Sequence, residues 1–265
     1  HNPVYYNPLI TYAPWAPAYL SSGLVTPGPA SPTAAKSHPI HGTTTINLTS
    51  TAPLSTSSNT FFLALPGMRV PAGSKKSVCS STNGSCGAWT DVTSDENATS
   101  TGVTRVAMPY YPATYWVKEQ CTPENVSLTG DSCTTAPDGS TLKRYEIKST
   151  TSSYPSGRTY AQEMQNFANW FQYYRKRKLI LAGAMGETLE TLTGMRLGIA
   201  PFNNLPSNVT MYDADATSNA LNRMRVAGIV YESNGSGGTP TRETLRYIGE
   251  QFKRTDQTGG KYNIK

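Results

Sequence analysis

Two cysteine pairs, three histidines, one glycine-rich loop and one acidic triplet are the residues whose types could carry chemistry here. The cysteines pair by proximity in sequence, Cys79 with Cys86 and Cys121 with Cys133, each among Ser, Thr, Gly and Asn turn formers. Neither pair has CxxC spacing and no histidine lies near, so two local disulfides fit better than a zinc site. Disulfides imply an oxidising compartment. Each would close a loop of about ten residues and contribute about 2–3 kcal/mol at most. The stretch Asn234-Gly235-Ser236-Gly237-Gly238-Thr239-Pro240 leaves three readings open. It is a helix start with Thr239 as N-cap and Pro240 at the first helical position; or an anion loop, although the Lys-Ser/Thr pair of a P-loop is missing; or a loop that presents the Thr239 hydroxyl to a divalent cation. Asp213-Ala214-Asp215 lacks the glycine turn and trailing Glu of a calcium loop and reads as acids at a helix N-terminus. His1, His38 and His41 have no carboxylate nearby in sequence, and neither HExxH nor GxSxG occurs.

Two unlike halves must position these groups. Residues 1–155 hold every Cys and His and most of the Pro, and read as loops with short strands; residues 44–48 and 143–147 alternate as strands do. Residues 25–40 show no element, which is uncommon in a compact domain unless such a stretch wraps over another surface. Residues 160–192 form one long helical pattern, with Thr159 as its N-cap and an apolar face of Phe167, Trp170, Phe171, Tyr174, Leu181 and Met185. Gly183 and Gly186 weaken that helix and suit close packing on a sheet, and Gly194 can end it in a left-handed cap. Residues 195–200 read as a buried strand, 216–231 as a second helix and 240–252 as a third. That order suits an α/β three-layer domain.

The 265 residues are 15% charged, well below the usual share of about 25%. Ser, Thr, Gly and Pro fill the gap, which excludes a charge-driven disordered tail and, without a period, a collagen. No apolar run approaches the roughly 18 residues of a membrane span. The net charge of +6 invites a polyanion partner. Its distribution argues otherwise: no acid precedes Asp91, and the one dense basic run, Arg175-Lys176-Arg177-Lys178, reads as a solvated helix face. No nucleic-acid partner is expected. The start His1-Asn2-Pro3 carries no Met or signal sequence, so a mature or truncated piece of an exported protein is expected. Sequon-like triplets at Asn47, Asn97, Asn125 and Asn208 would matter only in a eukaryotic secreted protein.

The stretches Tyr154-Pro155-Ser156-Gly157-Arg158-Thr159-Tyr160 and Asn166-Phe167-Ala168-Asn169-Trp170-Phe171-Gln172-Tyr173-Tyr174-Arg175-Lys176-Arg177 are distinctive. They closely resemble the N-terminal region of PilY-type type IV pilus tip adhesins, bacterial surface proteins with a von Willebrand factor A-like domain followed by a β-propeller. Tyr5-Tyr6-Asn7-Pro8-Leu9-Ile10-Thr11-Tyr12-Ala13-Pro14-Trp15, Pro109-Tyr110-Tyr111-Pro112-Ala113-Thr114-Tyr115-Trp116-Val117, Arg196-Leu197-Gly198-Ile199 and Gly237-Gly238-Thr239-Pro240 resemble further segments in the same order. The resemblance implies a partial von Willebrand factor A-like, Rossmann-like core over residues 156–265. It also implies a long β- and loop-rich insertion with two disulfides over residues 1–155.

A domain of this kind holds a divalent cation, Mg²⁺ or Ca²⁺, on an Asp-x-Ser-x-Ser loop, a Thr and a later Asp. Thr239 matches the Thr. Asp-x-Ser-x-Ser does not occur here, and the third loop is expected beyond Lys265. The remaining ligands are therefore expected outside the chain, and no metal is expected for this piece alone. By resemblance the protein is non-enzymatic, located at the cell surface and pilus tip of a Gram-negative bacterium, with minor pilins and a host or abiotic surface as partners. The competing reading is a secreted glycan- or matrix-binding module whose exposed aromatics, Trp15 and Trp116 among them, stack on sugar. A secreted hydrolase has no motif to support it.

Overall fold

The computed structural model describes residues 5–57, 61–99, 101–123, 132–136, 138–203, 205–206, 209–214, 220–233 and 238–253. Among these residues it is a mixed α/β structure with small sheets, four helices and two disulfides. Every strand pairing among the described residues is antiparallel. The chain divides into two compact units, one made of His1–Ile46 with Gln165–Lys265 and one of Asn47–Met164.

The first unit begins with two hairpins, β1 (Ala18–Leu20) with β2 (Gly23–Val25), and β3 (Ala35–Lys36) with β4 (Thr45–Ile46). The chain around them is extended and is held by α1 (Tyr160–Tyr173), from Gln165 onward. Extended backbone without a strand partner needs other hydrogen-bond partners when buried, and the amides of α1 supply them. Asn166 accepts the Tyr12 N–H through Oδ1 (2.7 Å) and donates from Nδ2 to the Ile10 carbonyl (2.9 Å) and the Tyr6 hydroxyl (2.8 Å). Asn169 accepts the Ala30 N–H (3.0 Å) and donates to the Tyr12 carbonyl (2.8 Å). Gln165 donates to the Ala30 carbonyl and Gln172 accepts the Lys36 N–H. Positions 165, 166, 169 and 172 share one helix face. The stretch 25–40, expected to hold no element, contains β3, and the chain on either side of that strand wraps over an amide-lined helix.

The long helix expected over 160–192 is two helices. The Trp170 carbonyl accepts from both Tyr174 N (2.8 Å) and Arg175 N (2.9 Å), which ends α1. Arg175 turns inward, with its guanidinium 4.1 Å from the Phe171 ring centroid and donating to the Ser37 carbonyl (2.8 Å). Lys176 is extended (φ −123°, ψ 144°), and α2 (Arg177–Thr191) starts after it. The break re-aims the second half, so Leu181 is 59% exposed and the buried face is Leu179, Ala182, Gly183, Gly186 and Leu189. That face packs on α3 (Ala220–Glu232) rather than on a sheet. A Cβ at Gly186 would stand 2.0 Å from the Tyr231 hydroxyl oxygen, so only glycine fits. Gly194 has φ 73° but lies beyond the helix end, where Leu192 is already extended. The run 195–200 forms only the half-buried β14 (Arg196–Leu197), paired with β15 (Tyr212–Asp213). The last described element is α4 (Thr241–Phe252).

The second unit contains a four-stranded sheet in the order β5 (Phe62–Ala64), β10 (Val103–Ala107), β7 (Lys75–Cys79), β8 (Thr90–Asp91). A small pair, β6 (Arg69–Val70) and β9 (Glu96–Asn97), closes a core of Ala64, Val70, Val92, Ala98 and Val106. A three-stranded sheet places β13 (Thr141–Glu146) between β11 (Thr114–Lys118) and β12 (Cys133–Thr135). Glu146, at the end of β13, is buried and takes both the Arg144 guanidinium and the Lys148 ammonium. At the start of α1, Thr159 is the N-cap expected: its N–H donates to Gln162 Oε1 (3.0 Å) and its Oγ1 accepts the Gln162 N–H (3.4 Å), a capping box. Glu163 is fully buried and accepts from Ser156 Oγ (2.7 Å) and Arg158 Nη1 (3.3 Å).

Candidate functional site

Thr239 lies just before α4. The Pro240 carbonyl accepts the first helical N–H, from Thr244 (3.0 Å), and Pro240 has φ −75° and ψ 61°. That ψ is not helical, so Pro240 occupies the cap position and Thr239 falls one residue outside it, correcting the N-cap expected at Thr239. Asn203 Nδ2 donates to the Gly238 carbonyl (2.8 Å) and pins the loop. Thr239 is exposed and shares a shallow hollow with Arg242, Glu243 and Arg246. A divalent cation needs several oxygen ligands, carboxylates among them. One neutral hydroxyl beside two arginines cannot hold it without carboxylates from elsewhere, and no group of three or more His, Cys, Asp or Glu able to hold a metal occurs among the described residues. Asp213 is exposed on β15, while Asp215 and residues 234–237 lie outside the described residues.

The structure corrects the placement of Trp15. It is 2% exposed, its Nε1 donates to the Tyr173 carbonyl (3.0 Å), and its ring lies 4.6 Å from that of Tyr231. A buried indole offers no face to a sugar. Trp116 differs: on β11, opposite Arg144, it is 39% exposed. Asn47 and Asn97 are exposed; Asn125 and Asn208 lie outside the described residues.

Both expected disulfides are formed, Cys79–Cys86 and Cys121–Cys133, which leaves no free thiol. The basic run is not one helix face. It straddles the junction of α1 and α2, with Lys176 and Arg177 exposed and Arg175 facing the protein. His38 Nδ1 accepts the N–H groups of Ile40 and His41 (both 3.1 Å), which puts its ring proton on Nε2. Burial, and then the neighbouring His41, Lys178, Lys176 and Arg175, push His38 down to about 4. His41, Ser21 and Glu232 do meet, in an order unsuited to nucleophilic catalysis. Ser21 donates its hydroxyl and its N–H to the Glu232 carboxylate, and the imidazole of His41 meets Glu232 at its backbone carbonyl (3.0 Å) and packs against the His38 ring. The three groups therefore do not form a Ser-His-acid triad, because the imidazole reaches neither the serine hydroxyl nor the carboxylate.

Sequence reasoning passed over two features. One is the amide face of α1; its signal was polar Asn and Gln at helical spacing within a run scored for its aromatics. The other is a cavity of about 580 Å³ between the β14–β15 hairpin and α3, lined by Arg196, Thr210, Tyr212, Asp213, Asn222 and Arg225 among others. Its lining is split among three short segments between residues 196 and 225, so no single motif marks it. No family model, curated protein or solved structure matches this chain.

Proposed function

We propose that this chain is a non-enzymatic part of a PilY-type type IV pilus tip adhesin, acting in surface attachment and pilus assembly through minor pilins at the surface of a Gram-negative bacterium. The observation that carries the reading is the collinear series of family-like segments from Tyr5 to Pro240, densest over residues 154–177. The geometry of the densest stretch supports it, because the motif residues hold specific positions. Ser156 and Arg158 bind Glu163, and Asn166 and Asn169 fasten the Tyr5–Trp15 segment, which itself belongs to the resemblance. Two disulfides in a short, turn-rich region suit export to an oxidising compartment.

The von Willebrand factor A-like assignment rests on sequence resemblance alone, since that fold needs a parallel sheet and the described pairings are antiparallel. In the complete protein, Thr239 would contribute one hydroxyl to a Mg²⁺ or Ca²⁺ site whose carboxylates come from other loops. The test of function is co-purification. The full-length protein, captured from the sheared surface fraction of the bacterium that encodes it, should bring down minor pilins. Recovery without any pilin, in cells that display pili, contradicts the reading. The alternative, a secreted glycan- or matrix-binding module, keeps exposed aromatics in its favour, Trp116, Tyr5 and Tyr19 among them, and predicts glycan binding lost on Trp116→Ala.

A further inference from the structure

The cavity between the β14–β15 hairpin and α3 has no part in the pilus reading. We propose that it binds a carboxylate-bearing sugar, a uronic or sialic acid unit of an acidic glycan.

Its volume of about 580 Å³ suits a small-molecule site. Asn222 and Arg225 stand three residues apart on α3 and so project from one face. The Asn222 Nδ2 donates to the Asp213 backbone carbonyl (3.0 Å), which fixes the amide and leaves Oδ1 toward Arg225, 3.5 Å from its Nη1. The Arg225 guanidinium lies 5.7 Å from the Tyr19 ring centroid, a cation–π contact. Arg225 is exposed and has no carboxylate partner among the described residues. From the strand side, Arg196 and Asp213 are cross-strand partners, and Thr210 and Tyr212 also line the cavity.

These groups match one ligand chemistry. A guanidinium binds a carboxylate through a planar fork. An amide and a hydroxyl exchange hydrogen bonds with sugar hydroxyls, and a phenol ring covers an apolar sugar face. The Asp213 carboxylate, on the strand side, accepts from a sugar hydroxyl, which a bare carboxylate or phosphate ion does not supply. An acidic sugar offers both the anion for Arg225 and the donor for Asp213.

The experiment is calorimetric titration of the 265-residue chain with galacturonate, N-acetylneuraminate, galactose and a tetra-aspartate peptide. Galacturonate and galactose differ by a carboxylate in place of a primary alcohol. The acidic sugars should bind, with galactose about tenfold weaker. Arg225→Ala should weaken the acidic sugars about tenfold, Arg225→Lys should fall between it and the parent, and Arg242→Ala on α4 should change nothing. Which acid binds more tightly tells a uronate source from a sialylated one. Equal affinity for galactose and galacturonate overturns the proposal, as does an Arg225→Ala chain that binds normally, no sugar binding at millimolar concentration, or tighter binding of the peptide. None of these results bears on the pilus location, which microscopy tests separately.

Discussion

Asn166 treats Tyr12 much as a neighbouring strand would. Its Oδ1 accepts the Tyr12 N–H at 2.7 Å while its Nδ2 donates to the Ile10 carbonyl at 2.9 Å. One side chain thereby satisfies two main-chain groups of a segment whose burial would otherwise leave them unpaired. Asn166→Ala should destabilise the chain by about 1–3 kcal/mol in urea unfolding. Asn166→Asp keeps the acceptor and aims a carboxylate at the Ile10 carbonyl, so its folded pKa rises above the unfolded value. Its deficit should be larger near about pH 7 than near about pH 4, because protonation restores a donor. A deficit independent of pH would contradict this arrangement.

The buried Arg144–Glu146 pair, with Lys148 on the same carboxylate, makes a second prediction. Removing one partner leaves a charge without compensation, so Arg144→Met should cost about 3–5 kcal/mol. Arg144→Met combined with Glu146→Leu should recover most of that loss. Chemical denaturation of the single and double variants measures both.

Gly186 is set by contact with Tyr231. Gly186→Ala should destabilise by about 1–3 kcal/mol, despite alanine's better helix propensity, because its Cβ meets the Tyr231 hydroxyl. Tyr231→Phe in the same chain should relieve part of that cost; thermal melts of the two variants compare them.

His38 supplies the pH dependence. Its folded pKa, pushed down to about 4, lies below the ordinary histidine value of 6.5. Its contribution to stability is therefore complete above the unfolded value and is lost as pH falls from there through the folded one. Protonating Nδ1 also removes the acceptor used by Ile40 and His41. NMR titration should find His38 neutral, with its proton on Nε2, down to the folded pKa. An ordinary imidazole titration would contradict the packing.

Legibility in the sequence followed locality. The disulfide pairs and the Thr159 cap were readable because their partners lie no more than 12 residues apart. The break between α1 and α2 was not, because no glycine or proline marks it. The break depends on Arg175 reaching Ser37, a contact across 138 positions of sequence. Trp15 was misplaced for the same reason: its partner carbonyl, that of Tyr173, lies 158 residues away. At Thr239 the helix start was legible to within one residue, and the shift came from the ψ of Pro240. The cavity beside α3 joins residues from two strands and a helix, which no spacing in the chain announces.

The pilus-tip reading is tested most directly by immunogold electron microscopy. Antibody raised against this chain would be applied to intact pili of the bacterium that encodes it. The reading predicts gold at the distal ends of pili, lost when the gene is deleted and restored by the full-length protein. Pili without gold at their tips, on cells where the antibody detects the protein elsewhere, would contradict it.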